Sequence, residues 1–170
     1  MRLLPSHVPQ FSSFDHGTIK LVNVLHWHAV NGGLGFAELG QLLLHLDRSD
    51  VALRKYGENH AKLGEMLGLV SISSTHPRIV CLAEQGARLR LADTAERATI
   101  LGDAIASTVI ITALRDLLRI QKGVRIQDYL EQNGLAKSTA RRRAPNVRCL
   151  IRKLEEYAHP LAIPLREGVQ

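Results

Sequence analysis

Hydrophobic residues in this chain change their spacing at one point, Gly68, and that change limits the folds open to it. Upstream, the spacing is helical. Ile19, Leu21, Val22, Leu25 and Ala29 predict a helix over residues 18–31, which Asn31-Gly32-Gly33-Leu34-Gly35 then stops. Residues 36–46 read as a second, short helix. Asp47-Arg48-Ser49-Asp50 supplies turn and N-cap residues for a third helix, with Leu53, Tyr56, His60, Leu63 and Leu67 on one buried stripe. Beyond Gly68 the period drops to two. Residues 69–73 alternate like a strand, Ser74-Thr75-His76-Pro77 makes a turn, and residues 78–82 return as a second strand. The expected fold class is mainly α with a small β-hairpin.

Three helices followed by a hairpin is the element order of a winged helix, and the wording agrees. YGENHAKLGEMLGLV, a hairpin and then CLAEQGARL resemble the winged-helix domains of prokaryotic regulatory proteins over residues 18–92. One departure is Ala83, where that pattern usually has a threonine at a helix cap. The resemblance implies a winged-helix domain over residues 15–93. Before it, residues 1–14, with Pro5, Pro9 and several serines, read as a flexible, extended arm.

Residues 94–121 read as helical, with a break near Ser107-Thr108-Val109-Ile110-Ile111-Thr112, where β-branched residues lower helix propensity. Leu101, Ala104, Ile105, Leu114, Leu117 and Leu118 give more apolar surface than a lone solvated helix carries. That segment is either a connector or the interface of a homodimer. A second helix-turn-helix occupies 122–159: residues 126–132 form a short helix, Asn133-Gly134-Leu135 the turn, and a longer helix begins near Ser138 as N-cap. Residues 160–170 form a tail.

That second module carries the charge. Residues 122–153 hold nine basic residues (Lys122, Arg125, Lys137, Arg141, Arg142, Arg143, Arg148, Arg152, Lys153) against Asp128 and Glu131. The local excess is +7 in a chain whose net charge is +6, so the remainder is close to neutral. Such concentration is the footprint of a phosphate-binding surface. With Ala140 at zero and about 100° per residue, Ala144, Val147, Ile151 and Leu154 fall within about 40° of it. Arg141, Arg148 and Arg152 gather at about 80–120°, and Arg142 and Lys153 lie on the far side. A basic stripe beside an apolar one suits a helix that anchors on a core and reaches phosphates and base edges. Lys137, Ser138 and Thr139 at its start offer backbone N–H groups and hydroxyls to a phosphate. Pro145 implies either a kink or a fresh helix beginning there.

GLAKSTARRRAPNVRCLIRKLEE also resembles the closing segment of winged-helix modules in prokaryotic restriction–modification proteins. That likeness implies that Thr139, Arg141, Arg142 and Arg148 face DNA; Arg143 joins them as the third of three adjacent arginines. In the first module Arg54 and Lys55, with Arg78 in the wing, are the candidate contacts, although Asp50, Glu58 and Glu65 nearly cancel the charge around the first two.

Other chemistries lack their residues. Cys81 and Cys149 stand far apart with no CxxC, so neither a disulfide framework nor a zinc finger is expected. His26 and His28 lie two apart on a helix, unsuited to sharing a metal. NGGLGF has no Lys-Ser/Thr after it, so it is no P-loop. No acid pair, serine or cysteine sits in a catalytic setting, so neither an enzyme nor a cofactor is expected. The start lacks the apolar run of a signal peptide, and charged Asp103, Arg115 and Asp116 interrupt the most apolar window, 100–118. A cytoplasmic protein without a membrane span is expected. The function expected is sequence-specific binding of double-stranded DNA by a transcriptional regulator or an accessory factor, restriction–modification or defence systems included. The alternative is a protein-interaction module without DNA, because CLAEQGARLRLADTAERATIL also resembles the segment after the wing in domains appended to bacterial transporter ATPases.

Overall fold

A computed structural model describes residues 2–29, 32–118, 120 and 123–162. Two compact units divide the chain, Phe11–Arg97 and Met1–Gln10 together with Ala98–Gln170. Among the described residues the protein is mainly helical, with eight α-helices and one small antiparallel sheet of three strands.

In the unit Phe11–Arg97 the order is α1 (Ile19–His28), β1 (Leu34–Gly35), α2 (Phe36–Leu44), α3 (Asp50–Met66), β2 (Val70–Ile72), β3 (Ile79–Leu82) and α4 (Glu84–Leu91). Ser49 caps α3, its hydroxyl oxygen accepting the Ala52 N–H at 3.4 Å, as its residue type and position predict. The sheet order is β1-β3-β2, with Leu34 opposite Val80 and Val70 opposite Leu82. Strand β1 is absent from the sequence reading. A two-residue strand, one residue of it glycine, has no period to detect, and only β3, some 45 residues later, gives it a partner. Leu21, Leu25, Leu39, Leu43, Leu63, Leu69, Val80 and Leu89 fill the core. Helices α2 and α3 meet through Gly40 and Gly57. A Cβ at Gly57 would stand 2.0 Å from the Phe36 carbonyl oxygen, and one at Gly40 2.0 Å from that of Leu53.

His60, on the buried stripe, is 1% exposed and hydrogen-bonded within the core. Its Nε2 accepts the Ser13 N–H at 3.3 Å, which leaves Nδ1 to carry the proton toward the Tyr56 carbonyl at 2.8 Å. Ser12 Oγ lies 3.5 Å from the same Nε2, and His16 Nδ1 lies 2.7 Å from the Tyr56 hydroxyl.

Helix α5 (Thr94–Ala106) continues the chain into the other unit and breaks at Ser107-Thr108, before α6 (Val109–Leu118), with a 74° bend. The hydroxyls explain the stop: Ser107 Oγ donates to the Ala104 carbonyl at 2.9 Å and Thr108 Oγ1 to that of Ile105 at 2.8 Å. Helices α7 (Ile126–Gln132) and α8 (Lys137–Glu156) follow, and both α6 and α7 pack on α8. Of the apolar residues over 94–121, Leu101, Ala104, Ile105 and Leu114 are buried and Leu117 and Leu118 half-buried, while Val109 and Ile120 are exposed. Arg119, Gln121 and Lys122 of that stretch, Val30 and Asn31 after α1, and residues 163–170 of the tail lie outside the described residues. Among those described, no single helix is long and apolar enough to cross a membrane.

The arm expected over residues 1–14 is instead packed. Leu3 and Val8 are buried, the Leu3 N–H donates to the Asn133 carbonyl at 2.7 Å, and Pro5–His7 forms a helical turn. Pro5 and Pro9 suggested an extended peptide, but two apolar side chains at positions 3 and 8 bury enough surface to hold it on a core supplied by residues far along the chain.

Candidate nucleic-acid interface

The turn between α7 and α8 depends on Gly134, whose φ of 107° is open to glycine and strained for other residues. It returns the chain so that the Leu135 N–H donates to the Leu130 carbonyl at 3.0 Å, and Leu135 is buried. Helix α8 then starts at Lys137, two residues earlier than a Ser138 cap predicts. Ala136 is the N-cap and no side chain caps the first turn. Ser138 therefore lies inside that turn, exposed, and Thr139 is half-buried.

Of the two alternatives for Pro145, a fresh helix does not occur: α8 runs continuously through it, and the ring is exposed. The angular argument accordingly holds along the whole length. Ala140, Ala144, Val147, Leu150, Ile151 and Leu154 are buried. Lys137, Arg141, Arg142 and Arg152 are exposed and Arg148 is half-buried.

Arg143 departs from the expected DNA-facing set. At about −60° on the same wheel it lies between Val147 and Leu150, on the buried side. Its guanidinium donates to the carbonyls of Pro5 and Val8, and Asn146 Nδ2 donates to that of Pro9 at 3.2 Å. Burial, then the neighbouring Arg142 charge, lower its pKa from the usual arginine value. Arg143 is a strap for residues 5–9. Its replacement by alanine should leave those carbonyls short of donors and lower stability by about 2 kcal/mol. The salt dependence of any DNA binding should stay as it was. A denaturation curve beside a salt titration checks both halves of that expectation.

Of the remaining basic residues, Arg125 pairs with Asp128 at 3.6 Å and Lys153 with Glu156 at 2.5 Å. Lys122 is outside the described residues. That leaves Lys137, Arg141, Arg142, Arg148 and Arg152 with no carboxylate within 4.0 Å among the described residues. Lys137, Arg141, Arg148 and Arg152 share one side of the helix, with Arg142 farther round. Cations so placed without counter-charges repel one another, a cost removed when an anion approaches.

The first-module candidates belong to the other unit. Arg54 and Lys55 are exposed on the N-terminal half of α3, beside an exposed Val51, and Arg78 is exposed beyond the turn between β2 and β3. Lys55 is already engaged, because Glu58 bridges it at 3.2 Å and Lys62 at 2.6 Å. The Lys62 hydrogen bond, ahead of that from Lys55, holds the Glu58 carboxyl below its usual pKa. Arg54 and Arg78 have no such acid. Asn146 and the buried pair Leu3 and Val8 are contributors that the sequence reading missed; their partners are too distant in sequence to be signalled. Among the described residues no group of histidine, cysteine or carboxylate side chains is arranged to hold a metal. No protein-family model, curated protein or solved structure matches this chain.

Proposed function

We propose that this protein binds double-stranded DNA, with α8 lying in the major groove, as a regulator or accessory factor with sequence preference. The unit Phe11–Arg97 is on this reading a winged helix, in the order helix, strand, helix, helix, strand, strand, with α3 as its groove-facing helix. The observation that carries the proposal is the exposed face of α8, where Lys137, Arg141, Arg142 and Arg152 stand without acidic partners among the described residues. The opposite face of the same helix is buried apolar residues, so the charges ride on a fixed rod. A merely solvated helix more often interleaves acids with such bases.

The test is anisotropy of a labelled duplex titrated with protein at several salt concentrations. Log affinity should fall linearly with log salt, by a slope of about −0.9 for each phosphate neutralised. The double variant Arg141→Ala/Arg142→Ala should flatten that slope by about two and lose duplex retention at moderate salt. Its melting temperature should not change, since neither side chain has a partner to lose among the described residues. Retention equal to wild type would overturn the proposal. Absence of DNA binding, with salt-insensitive capture of a protein instead, would favour the interaction-module reading.

A further inference from the structure

We infer that Arg148 is the base-reading residue of α8, while Arg141, Arg142 and Arg152 hold the phosphate backbone. This inference rests on the reading of α8 as a duplex-binding helix and assigns the roles within it.

Three observations separate Arg148 from its neighbours. The first is position. On the helical wheel it sits at about 80°, between Arg141 at about 100° and the buried stripe, and along the axis it lies between Arg141 and Arg152. At about 1.5 Å per residue it is roughly 10 Å from the first and 6 Å from the second. It is the middle cation of the row made with Arg141 and Arg152, so a cation suited to a phosphate stands on either side of it along the axis.

The second is burial. Arg141, Arg142 and Arg152 are exposed, whereas Arg148 is half-buried. A side chain whose stem is packed has lost its rotamer freedom before binding, so its guanidinium is presented in one direction. A two-point hydrogen bond to the O6 and N7 acceptors of guanine requires that fixed direction. Phosphates tolerate a wandering charge, and the exposed arginines suit them.

The third is an unmet donor. Arg148 Nε is shut off from solvent with no hydrogen-bond acceptor, and its two terminal nitrogens are not in that state. Arg143 Nε is likewise shielded, but that guanidinium is spent on the Pro5 and Val8 carbonyls. Among the described residues, Arg148 alone on α8 combines a shielded stem with a fork whose ends have no protein partner.

The experiment selects bound sequences from a pool of duplexes with a randomised core, using wild type, Arg148→Lys and Arg88→Lys, and then measures salt slopes on the selected duplex. Lysine keeps the charge and loses the planar fork. Arg148→Lys should therefore keep the wild-type salt slope and lose preference for guanine at one position of each bound site, by roughly tenfold to a hundredfold. Arg88→Lys, exposed on α4 and outside the proposed contacts, should keep both. Should Arg148→Lys misfold, as circular dichroism would reveal, Arg148→Gln, which fits the same stem and changes the preferred base, replaces it. Retained guanine preference in a folded Arg148 variant overturns the inference and leaves DNA binding standing. A wild-type protein that binds duplex without any preferred base does the same. No binding of the pool by wild type overturns the DNA-binding reading itself.

Discussion

Replacing Gly57 by alanine should destabilise the unit Phe11–Arg97 by about 3 kcal/mol or more, a large effect for a single methyl group. The added Cβ would meet the Phe36 carbonyl oxygen at 2.0 Å and the Gly40 nitrogen at 2.9 Å. Both are backbone atoms, so no side chain can rotate to relieve the overlap. Helices α2 and α3 would have to separate, and Leu39, Leu43 and Leu53, all buried, would lose packing as they did so. Alanine's better helix propensity offsets less than about 1 kcal/mol of this. Thermal melting should show a fall on the order of 10 °C or more. The matching control is Gly35→Ala, where nothing lies within 4 Å of the new methyl, and a change within about 0.5 kcal/mol is expected. Equal melting temperatures for the two variants would show that the close crossing of α2 and α3 is not present in solution.

The second large effect is a loss of stability in mild acid that traces to His60. Burial, reinforced by the nearby His16 and opposed by the hydrogen bond to the Tyr56 carbonyl, lowers its pKa from 6.5 to about 4. Its Nε2 already accepts the Ser13 N–H, so a proton added there would face another donor. Between pH 6.5 and 4 the unfolded chain binds a proton that the folded chain refuses. The stabilising contribution is thus complete above pH 6.5 and is lost as pH falls toward 4, by roughly 3 kcal/mol in all. Denaturant titrations at pH 7 and pH 4.5 on wild type and His60→Gln isolate it, because the glutamine has no proton to take up in that window. The wild-type curve should shift further than the variant's. His16, whose pKa is lowered first by burial and next by Lys20, shares the same acid window with a smaller part. A direct reading comes from nuclear magnetic resonance: the His60 ring should titrate near pH 4, and an ordinary titration near 6.5 would refute the buried network.

Much of the architecture was legible in the residues because it is set by local rules. The spacing of Leu53, Tyr56, His60, Leu63 and Leu67 marks the buried side of α3, Ser49 marks its start, and residues 126–132 form α7 as read. The β-branched stretch around Thr108 locates the bend between α5 and α6 to within a few residues. These signals need only helix geometry and hydrogen bonds within a turn or two of chain. Arg143 shows where such reading stops. Its place on the wheel, beside Val147 and Leu150, was available from the sequence, but three adjacent arginines suggested a common role. The carbonyls that claim it belong to Pro5 and Val8, separated from it by 138 and 135 residues.

The amino-acid order by itself determined most of the helical segments, α4 excepted, which side of α8 is greasy and which is cationic, and that positive charge is concentrated after residue 122. These are properties of neighbours one to four residues apart, fixed by the pitch of the helix and by side-chain chemistry. Only the tertiary structure decided that Leu34 and Gly35 form a strand, that residues 2–10 pack as part of a core, and which arginines stay free. Each of those outcomes depends on a partner brought near by folding, and a partner's distance in space leaves no periodic trace along the chain.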